Sequence, residues 1–179
     1  MAKSKLKSVV VKLGLPSIGE VEGTWEPDES QRQAAWEMYV ELVTRISVEE
    51  LRPDEGSLRE ALSSIYSLFN TTREILRKYG PSVARPGVEG NLSFGYLSVA
   101  ILNTVLRPTL STWHPLLLDH ESRKESTVSP IEHERKWDKS VELRGDLNKV
   151  RAILTVYANV LAQVAEVPPL ILQAAGMND

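Results

Sequence analysis

The stretch LRGDLNKVRAILTVYANVLAQV, residues 143 to 164, decides the fold, because its apolar residues recur in alternating steps of four and three. The recurring positions are Leu143, Leu147, Val150, Leu154, Tyr157, Leu161 and Val164. This spacing places them on one stripe of an α-helix, about 33 Å long at roughly 1.5 Å per residue. Upstream, Ser129 is a typical N-cap, Pro130 suits the first helical position, and Glu132 completes a capping box. We therefore predict one long C-terminal helix over residues 130–167.

Three further helical segments precede this one. Apolar residues at helical spacing predict a first helix over residues 28–47 and a second helix over residues 57–79. Residues 91–106 carry no charge and little polar surface, which is typical of a helix at the centre of a bundle. Pro108 and Pro115 interrupt the helical pattern that follows. We therefore expect a third helix that is kinked or split.

The sequence thus predicts an all-α fold, a bundle of four main helices with a proline-kinked or split third helix and a long C-terminal helix. Residues 8–25 differ, because β-branched runs separated by glycine and proline favour a short hairpin or an extended segment. We therefore expect an N-terminal extended arm over residues 1–27, packed on a helical bundle domain over residues 28–179.

Composition limits the possible functions. The chain has 179 residues and no cysteine, which excludes disulfides, thiolate metal sites and thiol nucleophiles. The net charge of −3 is unevenly distributed, since residues 20–60 carry twelve acidic side chains against four arginines. This acidic part would repel a phosphate backbone, so we expect no DNA binding. We find neither a secretory signal pattern nor a convincing membrane span, and we expect a cytoplasmic protein.

The stretch LRPTLSTWHPLLLDHESRKE, residues 106 to 125, concentrates side chains that could carry chemistry. Arg107 and His114 are separated by six residues in a helical context, and this pair resembles the motif of the HEPN ribonuclease family. The resemblance implies that Arg107 binds the phosphate of RNA and that His114 assists cleavage of its backbone. The alternative is structural: Arg107 caps the preceding helix, and His114 binds a backbone carbonyl.

A small-ligand sensor is a further hypothesis. Its pocket would lie between the central helix and its neighbours, with Arg107 binding an anion beside His114. Tyr96, Trp113 and Tyr157 would wall the pocket. We expect no metal site, because the sequence contains no Glu-x-x-His or His-x-x-x-His pair. We expect no cofactor, because it contains no Walker lysine loop and no glycine-rich dinucleotide motif.

The hypothesis that the sequence favours most is a non-enzymatic protein–protein interaction or regulatory module, such as an accessory protein of a bacterial cell. Long apolar stripes and an acidic first half indicate contact with a partner, and the sequence contains no convergent catalytic set. We expect another protein, or a second copy of this chain, to bind through the 130–167 helix and the acidic surface of residues 20–60.

Overall fold

The computed structural model describes residues 7–45 and 55–170, and within them the chain is mostly helical with one small hairpin. The hairpin consists of β1 (Val9–Leu15) and β2 (Gly19–Trp25). The α-helices are α1 (Glu29–Val43), α2 (Leu58–Tyr79), α3 (Phe94–Ile101), α4 (Arg107–Ser122), α5 (Pro130–Arg135) and α6 (Ser140–Val164). A 3₁₀ helix (Gly80–Ala84) follows α2, and a π-helical turn (Leu102–Leu106) joins α3 to α4. The predicted mainly helical class is confirmed.

Parts of the predictions lie outside the described residues. They are residues 1–6 of the arm, residues 46–54 of the acidic surface, which include the end of the first predicted helix, and residues 171–179 of the predicted bundle domain. The start of the first helix agrees with the prediction, but α1 ends at Val43, with Thr44 as its C-cap, before the predicted end at residue 47. Its N-cap is Asp28, whose side chain accepts a hydrogen bond from the Gln31 N–H.

The helix α6 lies at the centre of the core. All of the stripe residues between Leu143 and Val164 are buried. Both α1 and β1 pack against α6, and α2 and α4 contact it as well. The stripe is therefore used inside the chain. A partner of α6 would meet its outer face, where Val141 and Val156 are exposed.

The single helix predicted over residues 130–167 is wrong, because the structure divides it into α5 and α6. The predicted N-cap is present, since the Ser129 side chain accepts a hydrogen bond from the Glu132 N–H, while the Glu132 carboxylate pairs with Lys136. If the alternating steps of three and four continued before Leu143, the next stripe positions would be 140 and 136. Trp137 therefore lies one position away from the stripe. The break turns Trp137 into the core, where its ring meets Trp113 edge-on at 6.2 Å.

The N-terminal segment is a hairpin, and one of its faces belongs to the core. The strands pair antiparallel, with Val9 opposite Trp25 and Leu15 opposite Gly19. Alternate residues of β1 are buried, as the two-residue period of a strand requires. Of the two forms that the sequence left open, hairpin or extended segment, the hairpin is the one that forms.

The π-helical turn Leu102–Leu106 lies just before the first proline of the third predicted helix, Pro108. Pro108 has no N–H to donate, and in a regular α-helix its ring would collide with a carbonyl one turn earlier. The wider turn directly before Pro108 relieves that conflict, so the chain runs into α4 without a loop. Pro115 lies inside α4. The irregularity that the prolines predicted is thus a change of helix type.

The short helix α5 is tied to the start of α2 by the buried carboxylate of Glu134. One carboxylate oxygen accepts a hydrogen bond from the Leu58 N–H at 2.9 Å. The other accepts from the Ser57 hydroxyl at 3.1 Å and from the Arg59 N–H at 3.3 Å. A carboxylate in this place satisfies free N–H groups of a helix start and complements the helix dipole.

Replacing Glu134 with glutamine should lower the free energy of unfolding by about 1–2 kcal/mol, because the amide brings one acceptor and no charge to the start of α2. Urea denaturation measures this loss. Glu132→Gln is the matched control on the same helix, since Glu132 is exposed and pairs with the exposed Lys136. The control should change stability by less than about 0.5 kcal/mol. Equal losses in the two variants would contradict the capping role.

Candidate functional site

A groove between α2 and α4 is the strongest candidate for a functional site. It is open to solvent and has a volume of about 320 Å³. The lining residues are Tyr66, Phe69, Asn70 and Arg73 from α2 and Arg107, Leu110, Ser111 and His114 from α4. This lining contains two arginines and no acidic residue, so its charge is positive.

Two guanidinium groups, those of Arg73 and Arg107, each contact the same aromatic ring, Phe69. The guanidinium carbon of Arg73 lies 4.8 Å from the centroid of the Phe69 ring, and that of Arg107 lies 5.5 Å from it. Both distances are within the range of cation–π attraction. Within residues 7–45 and 55–170, neither arginine forms an ion pair with a carboxylate. The described groove therefore holds two positive charges that no acidic side chain neutralises.

The local structure of α4 brings Arg107 and His114 to the same groove. Arg107 is the first residue after the π-helical turn, and its Nε donates a hydrogen bond to the Asn103 side chain at 3.2 Å. His114 follows seven positions later, which is about two helical turns, so both side chains lie on one face of α4. π-helical turns inside α-helices occur frequently at functional sites.

The ring of His114 is engaged with the protein. It stacks on the ring of Tyr66, with centroids 5.7 Å apart and 28° between the planes. Its Nε2 is buried and has no hydrogen-bond partner among the residues that the structure describes. Burial lowers the pKa of His114, and the charge of Arg59 lowers it further, against the opposing effects of Glu121 and a hydrogen bond with the Leu62 backbone. The imidazole is therefore neutral at neutral pH.

The lowered pKa of His114 predicts a pH dependence of stability. The unfolded chain binds a proton on this ring near the ordinary pKa of 6.5, whereas the folded chain binds it only at lower pH. The contribution of neutral His114 to the free energy of unfolding is therefore fully present at pH values above 6.5, and it decreases as the pH falls below 6.5. Replacing His114 with glutamine should reduce the stability lost between about pH 7 and about pH 5, measured by urea denaturation. The same loss in both proteins would contradict this assignment.

Of the site residues named from the sequence, the structure brings Arg107 and His114 together and places the others elsewhere. Trp113 is buried facing α6, where its indole N–H donates to a carboxylate at 3.1 Å. Tyr157 is wholly buried, and its hydroxyl forms a hydrogen bond with a serine of α3 at 2.8 Å. Tyr96 is half-exposed on α3 and does not line the groove. The aromatic walls of the sensor hypothesis therefore do not surround Arg107.

The part of the groove that α2 contributes was not predicted from the sequence. Tyr66, Asn70 and Arg73 follow one another in steps of four and three, so they lie on one face of α2. The available signal was this polar face with an arginine in it. Helical spacing indicates a common face, but it does not indicate which helix lies opposite, so the pairing with α4 could not be predicted.

A second cavity, of about 450 Å³, lies where the start of α2 meets the end of α4 and α5. The rings of His120 and His133 stack at its wall, with centroids 3.9 Å apart and 6° between the planes. The Nε2 of each ring forms a hydrogen bond with the backbone oxygen of the other residue, at 2.9 and 2.8 Å. These reciprocal bonds fasten α5 to the end of α4, and we assign the pair a structural role.

Within the described ranges, no group of three or more histidine, aspartate or glutamate side chains is placed to bind a metal ion. No helix in this part of the chain combines the length and the apolar character that crossing a membrane requires. No protein family matches the chain, and no curated protein or solved structure matches it either.

Proposed function

We propose that this protein is a non-enzymatic regulatory module that binds a phosphate-bearing ligand in the groove between α2 and α4. The observation that carries the proposal is that the guanidinium groups of Arg73 and Arg107 both contact Phe69 and both line a groove that has no carboxylate in its lining. A guanidinium is planar and permanently charged, and it donates two parallel hydrogen bonds that match the oxygens of a phosphate.

The rest of the lining fits the same ligand class. Asn70 is exposed beside the two arginines and offers a neutral hydrogen-bond donor. Arg73 and Arg107 are themselves exposed, so an anion reaches them without any movement of the helices. The volume of about 320 Å³ falls at the lower end of the range of small-molecule sites, roughly 300–1,000 Å³. The groove therefore suits a small anion or the charged end of a larger ligand.

Isothermal titration calorimetry with inorganic pyrophosphate tests this proposal. The wild-type protein should bind, and the affinity should decrease as the salt concentration rises. Replacing Arg107 with glutamine should weaken binding about tenfold, because a pair of charge-assisted hydrogen bonds is lost.

The matched control is Arg77→Gln, which removes the same charge from an exposed position of α2 outside the groove. The control should bind pyrophosphate within about twofold of wild type. If Arg77→Gln weakens binding as much as Arg107→Gln, the attraction is general and the proposal fails. Absence of binding to the wild-type protein would also overturn it.

A HEPN-like ribonuclease is the second candidate, favoured by the placement of Arg107 and His114 in one groove. In this function Arg107 would hold a phosphate of RNA, and neutral His114 would accept a proton as general base. The burial of the His114 Nε2 and its stacking on Tyr66 oppose this role, because the ring must first come free. Cleavage of end-labelled single-stranded RNA that disappears in His114→Ala would support the ribonuclease, and intact RNA would reject it.

We also propose a protein partner, or a second copy of this chain, that contacts the acidic surface of residues 20–60 and the outer face of α5 and α6. Exposed Trp36, Ile131 and Val141 favour such contacts. Light scattering after size-exclusion chromatography tests self-association. We further propose that the four main helices form a bundle and that the domain boundary lies at residue 27. We also propose a cytoplasmic location in a bacterial cell.

A further inference from the structure

A second groove lies between α1 and the other side of α2, and its volume and charge differ from those of the groove between α2 and α4 that Arg73 and Arg107 line. Its volume is about 480 Å³. Val40 and Ile75 form an apolar floor with Trp36 at its edge, and Trp36 leaves 42% of its surface exposed. Tryptophan is among the residue types most enriched at the energetic centres of protein interfaces.

The rim of this second groove is acidic. It carries Glu37 and Glu41 from α1 and Glu74 from α2, against one lining cation, Lys78. Glu37 forms an ion pair with Lys78, and Glu41 forms one with Arg45. Within the described part of the chain, Glu74 has no ion-pair partner. The Lys78 side chain is 59% exposed, and ion pairs of this kind are weak enough for an incoming cation to replace.

We infer that this second groove binds a basic amphipathic α-helix of a partner protein. A groove between two helices accepts a third helix along its length, with an apolar face directed to the floor. The lining runs from Trp36 to Glu41 on α1 and from Thr71 to Lys78 on α2, so the longer wall is roughly 12 Å, or about two helical turns of a partner. Lysines or arginines of the partner helix reach Glu74 and replace Lys78 at Glu37. This inference does not rest on the groove between α2 and α4; it rests on the protein partner proposed for the acidic surface of residues 20–60 and gives that partner's chemical character.

Fluorescence anisotropy with the full chain and a labelled synthetic helix of leucine and lysine tests the inference. The peptide is about 14 residues long and carries leucines on one face. A scrambled peptide of the same composition, which lacks an apolar face, serves as the peptide control. We expect the amphipathic peptide to bind at least about tenfold more tightly than the scrambled one. Equal binding of the two peptides, or no binding of either, would overturn the inference.

Two substitutions locate the peptide. Trp36→Ala and Glu74→Lys should each weaken binding about tenfold, the first through lost apolar contact and the second through repulsion. The matched control is Glu142→Lys, which makes the same charge change on the exposed side of α6. It should leave binding within about twofold. Circular dichroism confirms that each variant is folded, and Glu74→Lys tests the site if Trp36→Ala unfolds. An equal loss in Glu142→Lys, or no loss in a folded Glu74→Lys, would contradict the inference.

Discussion

Replacing Gln31 with leucine should lower the free energy of unfolding by about 3 kcal/mol. Gln31 is buried, and its Oε1 accepts hydrogen bonds from the Trp25 indole N–H at 2.6 Å and from the Phe94 N–H at 3.2 Å. Its Nε2 donates to the backbone oxygen of Arg85 at 3.1 Å. Leucine fills a similar space but leaves all three groups without this partner, and each such loss costs roughly 1–3 kcal/mol.

The reason for this large effect is that one side chain joins four parts of the fold. Through Gln31, α1 is bonded to β2, to the segment after the 3₁₀ helix and to the start of α3. Urea denaturation measures the loss. Gln33→Leu is the matched control, because Gln33 is exposed on the same helix, and it should change stability by less than about 0.5 kcal/mol. A change in Gln31→Leu as small as that of the control would contradict this account of the core.

Reversing both groove charges, with Arg73→Glu and Arg107→Glu together, should weaken pyrophosphate binding by at least about 100-fold, or roughly 2.7 kcal/mol. The double variant removes two sets of charge-assisted hydrogen bonds and places two carboxylates where the anion sits. Both side chains are exposed, so the fold should tolerate the change. Calorimetry measures the affinity, and circular dichroism confirms folding.

The net charge of the whole protein also changes in this double variant, so the control must change it equally. Arg77→Glu with Arg85→Glu does so at two exposed positions that do not line the groove. We expect the control pair to lose at most about threefold in affinity, through the long-range field alone. Comparable losses in the two double variants would show that the groove has no special role.

The elements that the sequence predicted best are those whose signal is local. The stripe from Leu143 to Val164 predicted a buried helix face because its period is a property of the helix itself. The N-cap at Ser129 was recognisable for the same reason. The division between α5 and α6 was not predicted, since it depends on the packing of Trp137 against Trp113 from a distant helix.

Only the α4 half of the candidate site could be predicted from the sequence. Arg107 and His114 lie on one helix, so their spacing alone indicated a common face. Arg73 and Phe69 lie four residues apart on α2, and only the packing of α2 against α4 brings Arg107 to the same ring. Tyr157 was predicted to line a ligand pocket, but it is buried in the core. Its position on the apolar stripe of α6 already indicated burial.

The two grooves lie on different sides of α2 and carry opposite charges, positive in the groove shared with α4 and acidic in the groove shared with α1. Tyr66, Asn70 and Arg73 face α4, whereas Thr71 and Glu74 belong to the groove shared with α1. Because one helix forms a wall of both grooves, a ligand in one and a partner helix in the other would contact the same rigid element. The expected effects can be measured separately, since the substitutions in one groove leave the lining of the other unchanged.

The most direct test of the central claim is nuclear magnetic resonance of the arginine Nε–Hε groups during a titration with inorganic pyrophosphate. The account predicts that the signals of Arg73 and Arg107 shift together and saturate at the same pyrophosphate concentration. The signals of Arg77 and Arg123, which lie outside the groove, should stay in place. Small shifts spread evenly over all arginines, without saturation, would show that the anion has no site in the groove and would contradict the claim.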